Sequence, residues 1–269
     1  MSPTGTSSTI QLADGTKAFR KALSNAPEGF FQFEAAGLEE LRQLGARVPE
    51  VYEVTDQHLI TQLITAESSA EQVSDPEYTF GRQLAGLHRK SQETAEDDQS
   101  FGSLPGLSHW YLGAADINLQ PTPTLYESLV TNRIVPLTEQ AVEAGLLDSA
   151  ALKLARRIIP EHLGAAEPPT VVHGDLWAGN RMVDSSGASW LIDPSCHWGH
   201  REQDIAMMHL FGGFGPEVMT GYADAFPLAE GWQERIPVFQ LVPLLVHVLL
   251  FGSGYATPTM HALTTTVEG

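Results

Sequence analysis

The pattern of apolar and polar positions divides the chain into a short β-rich part and a longer helical part. Within the first 65 residues, apolar and polar residues alternate in short runs, which is typical of strands. The strands predicted here cover residues 9–12, 18–23, 51–54 and 58–64. The Asp14-Gly15 turn between the first two predicts a β-hairpin, and residues 28–44 have the apolar spacing of a helix.

Helical periodicity replaces the alternation after a connector at residues 66–74. The helices predicted from apolar residues three or four apart cover residues 78–89, 124–144, 149–163 and much of the chain beyond residue 200. Short apolar runs predict a strand at residues 171–172 and a hairpin over residues 182–192. We therefore expect an α+β fold of two lobes, β-rich at residues 1–65 and mainly helical at residues 66–269.

The chain has a large acidic excess, which limits its partners. It carries 33 Asp and Glu against 15 Lys and Arg, a formal net charge of −18. Such a charge repels nucleic acids and anionic membranes, so we expect neither as a partner. A site for a polyanion would need placed cations, namely a metal ion and a few Lys or Arg side chains.

Three local features favour a cytoplasmic protein without a membrane span. The single cysteine, Cys196, excludes an intrachain disulfide, and residues 1–8 lack the basic and apolar regions of a signal peptide. The most apolar run, residues 238–251, is too short to cross a bilayer and contains Pro243 and His247. We expect this run to form a buried helix.

Polar residues with catalytic potential are concentrated in residues 173–180, His-Gly-Asp-Leu-Trp-Ala-Gly-Asn, and in a later Ile-Asp-Pro at residues 192–194. A short strand would deliver Asp175 into a loop, Asn180 follows, and a hairpin would bring back Asp193. Two carboxylates about 5 Å apart repel by roughly 3 kcal/mol, which a divalent cation relieves. Hard oxygen ligands favour magnesium, and phosphoryl transfer uses this set of groups. Each residue taken alone also fits a loop cap or a turn.

The β-rich part offers a lysine and a glutamate for phosphate binding. Lys21 lies on the predicted strand after the Asp14-Gly15 turn, and Glu34 lies in the following helix. A Lys21–Glu34 pair would hold the lysine at the α- and β-phosphates of ATP. Lys17 shares the strand face but adjoins the turn, so we expect it to be solvated. Adenine could bind the backbone of Leu63, Ile64 and Thr65.

These segments resemble the fructosamine (ketosamine) 3-kinase family, a branch of the protein-kinase-like phosphotransferases. The likeness covers nearly the whole chain. Its segments are residues 18–21, 31–38, 84–88, 173–180, 192–194, 199–207 and 210–214. The Leu176-Trp177 pair within the catalytic segment is similar to this family in particular, because general aminoglycoside and choline kinases usually lack it.

The resemblance implies a two-lobed protein-kinase-like fold and ATP- and Mg²⁺-dependent phosphorylation of the 3-hydroxyl of a ketosamine, small or protein-bound. It implies Asp175 as the base and Asn180 and Asp193 as magnesium ligands. His173 is expected to orient the loop, Asp204 to act as its scaffold, and Trp177 either to stack on the sugar or to pack the loop. Residues 5–8 are the candidate loop over the phosphates.

Two other hypotheses remain open from the sequence. One is a kinase of another small molecule, such as an aminoglycoside or amino sugar, because the catalytic motif alone does not select the acceptor. The other is an ATP-binding pseudokinase or regulatory module, which the short N-terminal region before the first hairpin would suit. The preferred sugar and amine and the oligomeric state are left undetermined.

Overall fold

An antiparallel sheet of four strands begins the fold, in a computed structural model that describes residues 5–65 and 72–269. The strands are β1 (Thr6–Gln11), β2 (Lys17–Ala22), β3 (Val51–Val54) and β4 (His58–Gln62), in the order β1-β2-β4-β3. The predicted hairpin is confirmed, since Gly15 takes the left-handed conformation (φ 89°) and the Thr16 N–H donates to the Asp14 carboxylate at 2.9 Å.

Helix α1 (Phe30–Gln43) connects β2 to β3 and buries one face against the rest of the protein. The helix starts two residues later than the spacing predicts, because Gly29 adopts a left-handed conformation (φ 73°) before it. Its buried face includes Phe31, Phe33, Leu38 and Leu41. This face positions Glu34 toward β2.

The remainder of the chain is mainly helical, with short hairpins between the helices. The helices are α2 (Pro76–Thr94), α3 (Val135–Glu143), α4 (Ser149–Ala155), α5 (Glu202–Phe211), α6 (Pro216–Ala225), α7 (Trp232–Phe251) and α8 (Ala256–Glu268). The short strands are β5 (Tyr111–Leu112), β6 (Ala115–Asp116), β7 (Thr170–Val172), β8 (Arg181–Val183), β9 (Ser189–Leu191) and β10 (His197–Gly199). β7 pairs with β10, and β8 pairs with β9 as the predicted hairpin.

Two predicted helices differ from the structure in their extent. Residues 124–144 are predicted as one helix, but they form a π-helix (Glu127–Ile134) that continues into α3. Residues 149–163 are also predicted as one helix, but α4 ends at Ala155 and a separate 3₁₀ turn, Pro160–Leu163, follows. Pro160 explains the second difference, because its ring excludes a continuous helix. The predicted connector lies partly outside the described residues, which omit positions 66–71.

The hydrophobic core joins the sheet side of the protein to the helical side. One buried cluster combines Leu38 and Leu41 of α1 with Phe80 and Leu84 of α2 and with Val171 of β7. A second cluster lies deeper in the helical part and centres on α7. Leu176 also belongs to the first cluster, so the segment of residues 173–180 is anchored in this core.

Helix α7 is long and apolar enough to cross a membrane, judged by length and composition alone. Half of its apolar window is buried inside the protein, where it packs against α5 and α8. Val238, Leu241, Leu245 and Val248 are almost completely shielded from solvent. We therefore interpret α7 as a core helix, as the sequence predicts for residues 238–251.

Candidate active site

The loop after β7 carries His173 and Asp175, and a buried carboxylate from α5 holds its backbone. Asp204 is fully buried, and its two oxygens accept the N–H groups of His173 at 2.8 Å and Gly174 at 2.9 Å. His88 of α2 lies 3.2 Å from the same carboxylate. Burial opposes the charge of Asp204, but the hydrogen bond from His88 and the backbone N–H groups lower its pKa. Asp204 thus anchors the loop.

The imidazole of His173 joins the two halves of the site. Its Nε2 lies 3.0 Å from the carbonyl oxygen of Ile192, which can only accept, so Nε2 carries the proton. Nδ1 then accepts the Asp175 N–H at 3.3 Å. Burial lowers the pKa of His173, which favours the neutral ring. Both ring nitrogens are engaged with backbone, an arrangement that orients the loop.

Backbone hydrogen bonds place Asp193 beside Asn180. The Ile192 N–H donates to the Asn180 carbonyl at 3.0 Å, while the Ile192 carbonyl binds His173. Ile192 is therefore hydrogen-bonded to both ends of the loop at residues 173–180, namely to His173 and Asn180. Asp193, which follows, adopts a left-handed conformation (φ 56°) that is unusual for a residue with a side chain. Its side chain is 43% exposed and faces the cleft.

Asp175 is a carboxyl group of the cleft whose pKa is strongly raised. The Asn180 amide nitrogen donates to its carboxylate at 3.0 Å and to its backbone carbonyl at 2.8 Å. Burial raises the pKa of Asp175 to about 7, helped by the charges of Asp193 and Asp204 and opposed by the Asn180 hydrogen bond. A carboxyl group in this environment is suited to proton exchange near neutral pH.

Lys21 lies across the cleft from the catalytic loop, between two carboxylates. Its Nζ donates to Glu34 at 2.7 Å and to Asp193 at 2.5 Å. Burial acts to lower the pKa of Lys21, but the charges of Glu34 and Asp193 outweigh it and raise that pKa. The predicted Lys21–Glu34 pair is therefore present in the structure. Lys17 is exposed, as expected for the rival lysine.

A cleft of about 490 Å³ lies between the sheet and the helical part. Asp175, Asn180 and Asp193 line it together with Lys21 and Glu34. Its aromatic walls are Phe30, Phe31, Phe33, Tyr111 and Trp177, of which the sequence singled out only Trp177 as a candidate substrate contact. Such a cleft suits a ligand with one polar end and one apolar face.

Trp177 contacts both the cleft and neighbouring residues of the protein. Its side chain is 40% exposed and lines the cleft, and its ring lies edge-to-face with Phe211, 6.3 Å between centroids. The ring also covers Gly179, where an added Cβ would lie 2.2 Å from a ring carbon. Packing of the loop and contact with a ligand are therefore compatible roles for this residue.

A second, apolar cavity of about 160 Å³ adjoins Lys21, Glu34 and Asp193. Leu63 and Ile64 line it, whereas Thr65, the last described residue before the gap, does not. Phe19, Leu38, Met182 and Ile192 form much of its apolar surface. The size and apolar lining fit a flat heterocycle such as adenine. The sequence does not indicate a role for Met182, because a single methionine on a hairpin is not a distinctive signal.

The structure also corrects the prediction that residues 5–8 form a loop over the phosphates. Thr6, Ser7 and Ser8 belong to strand β1 and pair with Ala22, Lys21 and Arg20 of β2. Hydrogen bonding to a neighbouring strand explains why this segment is extended rather than looped. Gly5, Thr6 and Ser7 still line the cleft.

The donor set of the cleft fits a hard divalent cation such as magnesium. Within residues 5–65 and 72–269, no group of three or more His, Cys, Asp and Glu side chains has the geometry of a metal centre. The candidate set instead combines two carboxylates with an amide. Asn180 turns its nitrogen toward Asp175, so its oxygen remains for another partner. Oxygen donors of this kind match the preference of magnesium.

Comparison with known proteins gives a consistent result over almost the full length. Residues 5–268 match the family model described as fructosamine kinase. A probable ketoamine kinase of Enterococcus faecium is 31% identical over 249 residues, 89% of this chain and 83% of that protein.

The solved structures agree with the sequence comparison. A Thermobifida fusca protein with a provisional fructosamine-3-kinase assignment superposes with a TM-score of 0.84 at 35% identity, covering 98% of this chain and 90% of that one. A type I macrolide 2′-phosphotransferase superposes with a TM-score of 0.60 at 16% identity, over 98% of this chain and 87% of that one. The second likeness shows a shared fold alone, that of the kinase-like phosphotransferases.

Proposed function

The chain belongs to the fructosamine kinase family, and on this premise we propose that it transfers the γ-phosphoryl group of ATP to the 3-hydroxyl of a ketosamine. The observation that carries the proposal is the meeting of Asp175, Asn180 and Asp193 with the Lys21–Glu34 pair in one cleft. Phosphoryl transfer requires positioning and charge stabilisation more than covalent chemistry, and these groups supply both.

Each side chain has a role that follows from its position. Asp175 accepts the proton of the attacking hydroxyl, because its carboxylate faces the cleft and Asn180 fixes its orientation. Lys21, held by Glu34, binds the phosphates. Asn180 and Asp193 would hold magnesium, which supplies positive charge against the phosphate oxygens when bound.

The two cavities suggest how the substrates divide the cleft. The apolar cavity at Leu63 and Ile64 suits the adenine, with the phosphates running past Lys21 toward Asp193. The larger aromatic cleft then receives the ketosamine, and Trp177 provides a flat apolar face for the sugar. A cytoplasmic location remains part of this proposal, since the single cysteine, Cys196, is buried and unpaired.

An ADP-release assay with ribulosamine and fructosamine adducts of lysine tests the proposal. We expect magnesium-dependent turnover with at least one adduct and a loss of about 10²–10⁴-fold in Asp175→Asn, the range for removing a general base. Turnover no higher than that variant with every adduct would reject the proposal.

The same assay with an aminoglycoside and a free amino sugar addresses the other acceptor class. A higher kcat/KM on either compound would reassign the acceptor. A thermal-shift titration with Mg-ATP separates an inactive binder from an enzyme, because a ligand at 100 times its Kd adds about 2.7 kcal/mol of stability. Binding without turnover on any compound would indicate a regulatory module.

A further inference from the structure

Arg133 is a buried cation that the proposed reaction does not use. It lies in the π-helix Glu127–Ile134 and is only 1% exposed. Its guanidinium donates to the carbonyl of Ser128 at 2.9 Å, to the Ser128 hydroxyl at 3.2 Å and to His197 at 3.1 Å. It forms no ion pair with any carboxylate of the described chain. Burial lowers the pKa of Arg133 to about 10, so the group stays charged at neutral pH.

A buried charge without a counterion is costly, so its retention calls for a reason. The contact with His197 offers one. Nδ1 of His197 lies 2.8 Å from the carbonyl oxygen of Ser195, and a carbonyl cannot donate, so Nδ1 carries the proton. Nε2 is therefore the acceptor of the hydrogen bond from Arg133.

Gln203 supports the same assignment. Its side-chain oxygen accepts the His200 N–H at 2.7 Å, which turns its amide nitrogen toward His197 Nε2 at 3.4 Å. Two donors thus face one ring nitrogen. Burial lowers the pKa of His197 to about 3, and the charge of Arg133 contributes, so the ring is neutral at the pH of the cell. The direction of donation runs from Arg133 through His197 to Ser195.

The Ser195 carbonyl packs against Gly174, so the segment that carries Asp193 contacts the segment that carries Asp175 at this oxygen. A Cβ added to Gly174 would lie 2.1 Å from this oxygen, and Gly174 has a φ of 80°. Gly174 immediately precedes Asp175, and Ser195 lies two residues after Asp193. Whatever holds this carbonyl therefore sets the distance between the proposed base and the proposed metal ligand.

The backbone conformation of Asp193 also requires neighbouring residues to hold it in place. Its left-handed backbone (φ 56°) is unfavourable for a residue with a side chain and persists only when neighbours hold it. His173 holds the residue before it through the Ile192 carbonyl. The His197–Ser195 hydrogen bond holds the segment after it.

We infer that Arg133 is a positioning residue, which sets the relative placement of Asp175 and Asp193 through His197 and the Ser195 carbonyl. The inference rests on the proposed function for its catalytic consequence but not for its structural one. The π-helix places the Arg133 side chain beside His197. Its guanidinium also donates to the carbonyl of Ser128, five positions earlier. π-helical turns in other proteins are frequent at functional sites.

The first experiment replaces the guanidinium and follows metal binding as well as rate. In Arg133→Met we expect Mn²⁺, used as a probe in the presence of ADP and read by electron paramagnetic resonance, to bind about 10–100-fold more weakly, the usual cost of losing a supporting partner. kcat should fall by a similar factor, while KM for the ketosamine stays within about twofold. Arg133→Lys should restore part of both, because an ammonium can donate to His197.

Arg235→Met is the matched control. Arg235 is a partly buried arginine, but it pairs with Glu202 at 2.6 Å, and it lines neither the cleft nor the apolar cavity. This variant should lose stability yet keep the Mn²⁺ affinity and kcat of the wild type. Wild-type Mn²⁺ affinity and kcat in a folded Arg133→Met, or an equal loss in Arg235→Met, would overturn the inference.

Substitutions at His197 test the proposed path to the Ser195 carbonyl even if Arg133→Met does not fold. Asn at this position keeps a donor near the place of Nδ1, whereas Leu has none, so His197→Asn should retain most of the Mn²⁺ affinity and His197→Leu should lose about 10-fold. The double variant Arg133→Met, His197→Leu should lose no more than the larger single loss, because both act on one carbonyl. Equal affinities in His197→Asn and His197→Leu, or independent losses, would contradict the proposed path.

Amide hydrogen exchange provides a readout that needs no turnover. In Arg133→Met and His197→Leu we expect the amides of residues 193, 195–197 and 174–176 to exchange roughly tenfold faster than in the wild type, with Arg235→Met unchanged there. If the wild type neither turns over nor binds Mn-ADP, the proposed function fails while this comparison still tests the positioning role. Unchanged exchange in both segments would reject that role.

Discussion

Charged residues in the cleft balance one another. Lys21 lies between Glu34 and Asp193, so its ammonium offsets two carboxylates in a protein that is acidic overall. Burial raises the pKa of Glu34, and the charge of Lys21 opposes that shift. Under the proposed function, the lysine already lies on the proposed path of the phosphates, and nucleotide binding would exchange its Asp193 contact for a phosphate contact.

Replacement of Lys21 by Met should weaken Mg-ATP binding by roughly 10–100-fold, because hydrogen bonds to charged groups contribute about 1.5–3 kcal/mol each. Lys17→Met is the matched control, since Lys17 lies on the same strand but is exposed. The measurement is the Kd for Mg-ATP by calorimetry, which does not depend on the acceptor. Equal affinities in the two variants would show that Lys21 has no part in phosphate binding.

At the scale of elements, the packing of α2 against α6 supports the catalytic loop from behind. His88 of α2 hydrogen-bonds Tyr222 of α6 at 2.8 Å and Asp204 at 3.2 Å, and Asp204 holds the loop. Two glycines allow this close approach: a Cβ at Gly81 would lie 1.9 Å from the Val218 carbonyl oxygen, and one at Gly221 would lie 2.1 Å from the Tyr78 carbonyl oxygen. The helices touch backbone to backbone.

Gly81→Ala should therefore destabilise the protein by more than about 3 kcal/mol, since the added methyl group meets rigid backbone and overpacking is costly. Gly86→Ala on the same helix has nothing within 4 Å of the new Cβ. We expect that change to stabilise the protein by about 0.5–1 kcal/mol, the difference in helix propensity between Ala and Gly. Urea denaturation of both variants gives the two values, and a loss in Gly86→Ala as large as in Gly81→Ala would contradict the packing argument.

The whole molecule contains a buried polar network that ties its stability to pH. His200 stacks on Phe239, with 5.1 Å between ring centroids, and faces Glu167, Arg201 and Arg235. The pKa of His200 is lowered to about 4, mainly by burial; Glu167 opposes this shift, and the charges of Arg201 and Arg235 contribute to it. The unfolded chain takes up this proton near pH 6.5 and the folded protein only near pH 4, so stability falls as the pH drops between these values.

His200→Asn should reduce this acid sensitivity. Between pH 7.5 and pH 4.5 the wild type should lose about 2.5 kcal/mol more than the variant, the linkage for one histidine with a folded pKa of about 4. Chemical denaturation at the two pH values gives the change in unfolding free energy for each protein. Comparing these two changes cancels any pH-independent cost of the substitution. Parallel pH dependences in the two proteins would show that His200 is protonated while folded.

Local patterns allow much of the fold and part of the site to be predicted. The β1–β2 hairpin follows from Asp14-Gly15 between alternating strands, and α1 follows from its apolar spacing. Asp175, Asn180 and Asp193 lie within a short stretch whose residue order indicates phosphoryl transfer. These features depend on residues close together along the chain, so the sequence by itself determined them, together with the α+β class and the family.

Contacts between residues far apart along the chain were decided only by the tertiary structure. Arg133 and His197 are 64 positions apart, and neither belongs to a recognisable motif, so no spacing rule joins them. Trp177 follows from its motif, but the aromatic residues that join it in the cleft come from α1 and β5. The extension of residues 6–8 into β1 depends on pairing with β2. The physical reason is the same in each case: burial and hydrogen-bond partners depend on which elements pack together, and a linear pattern carries periodicity but not that choice.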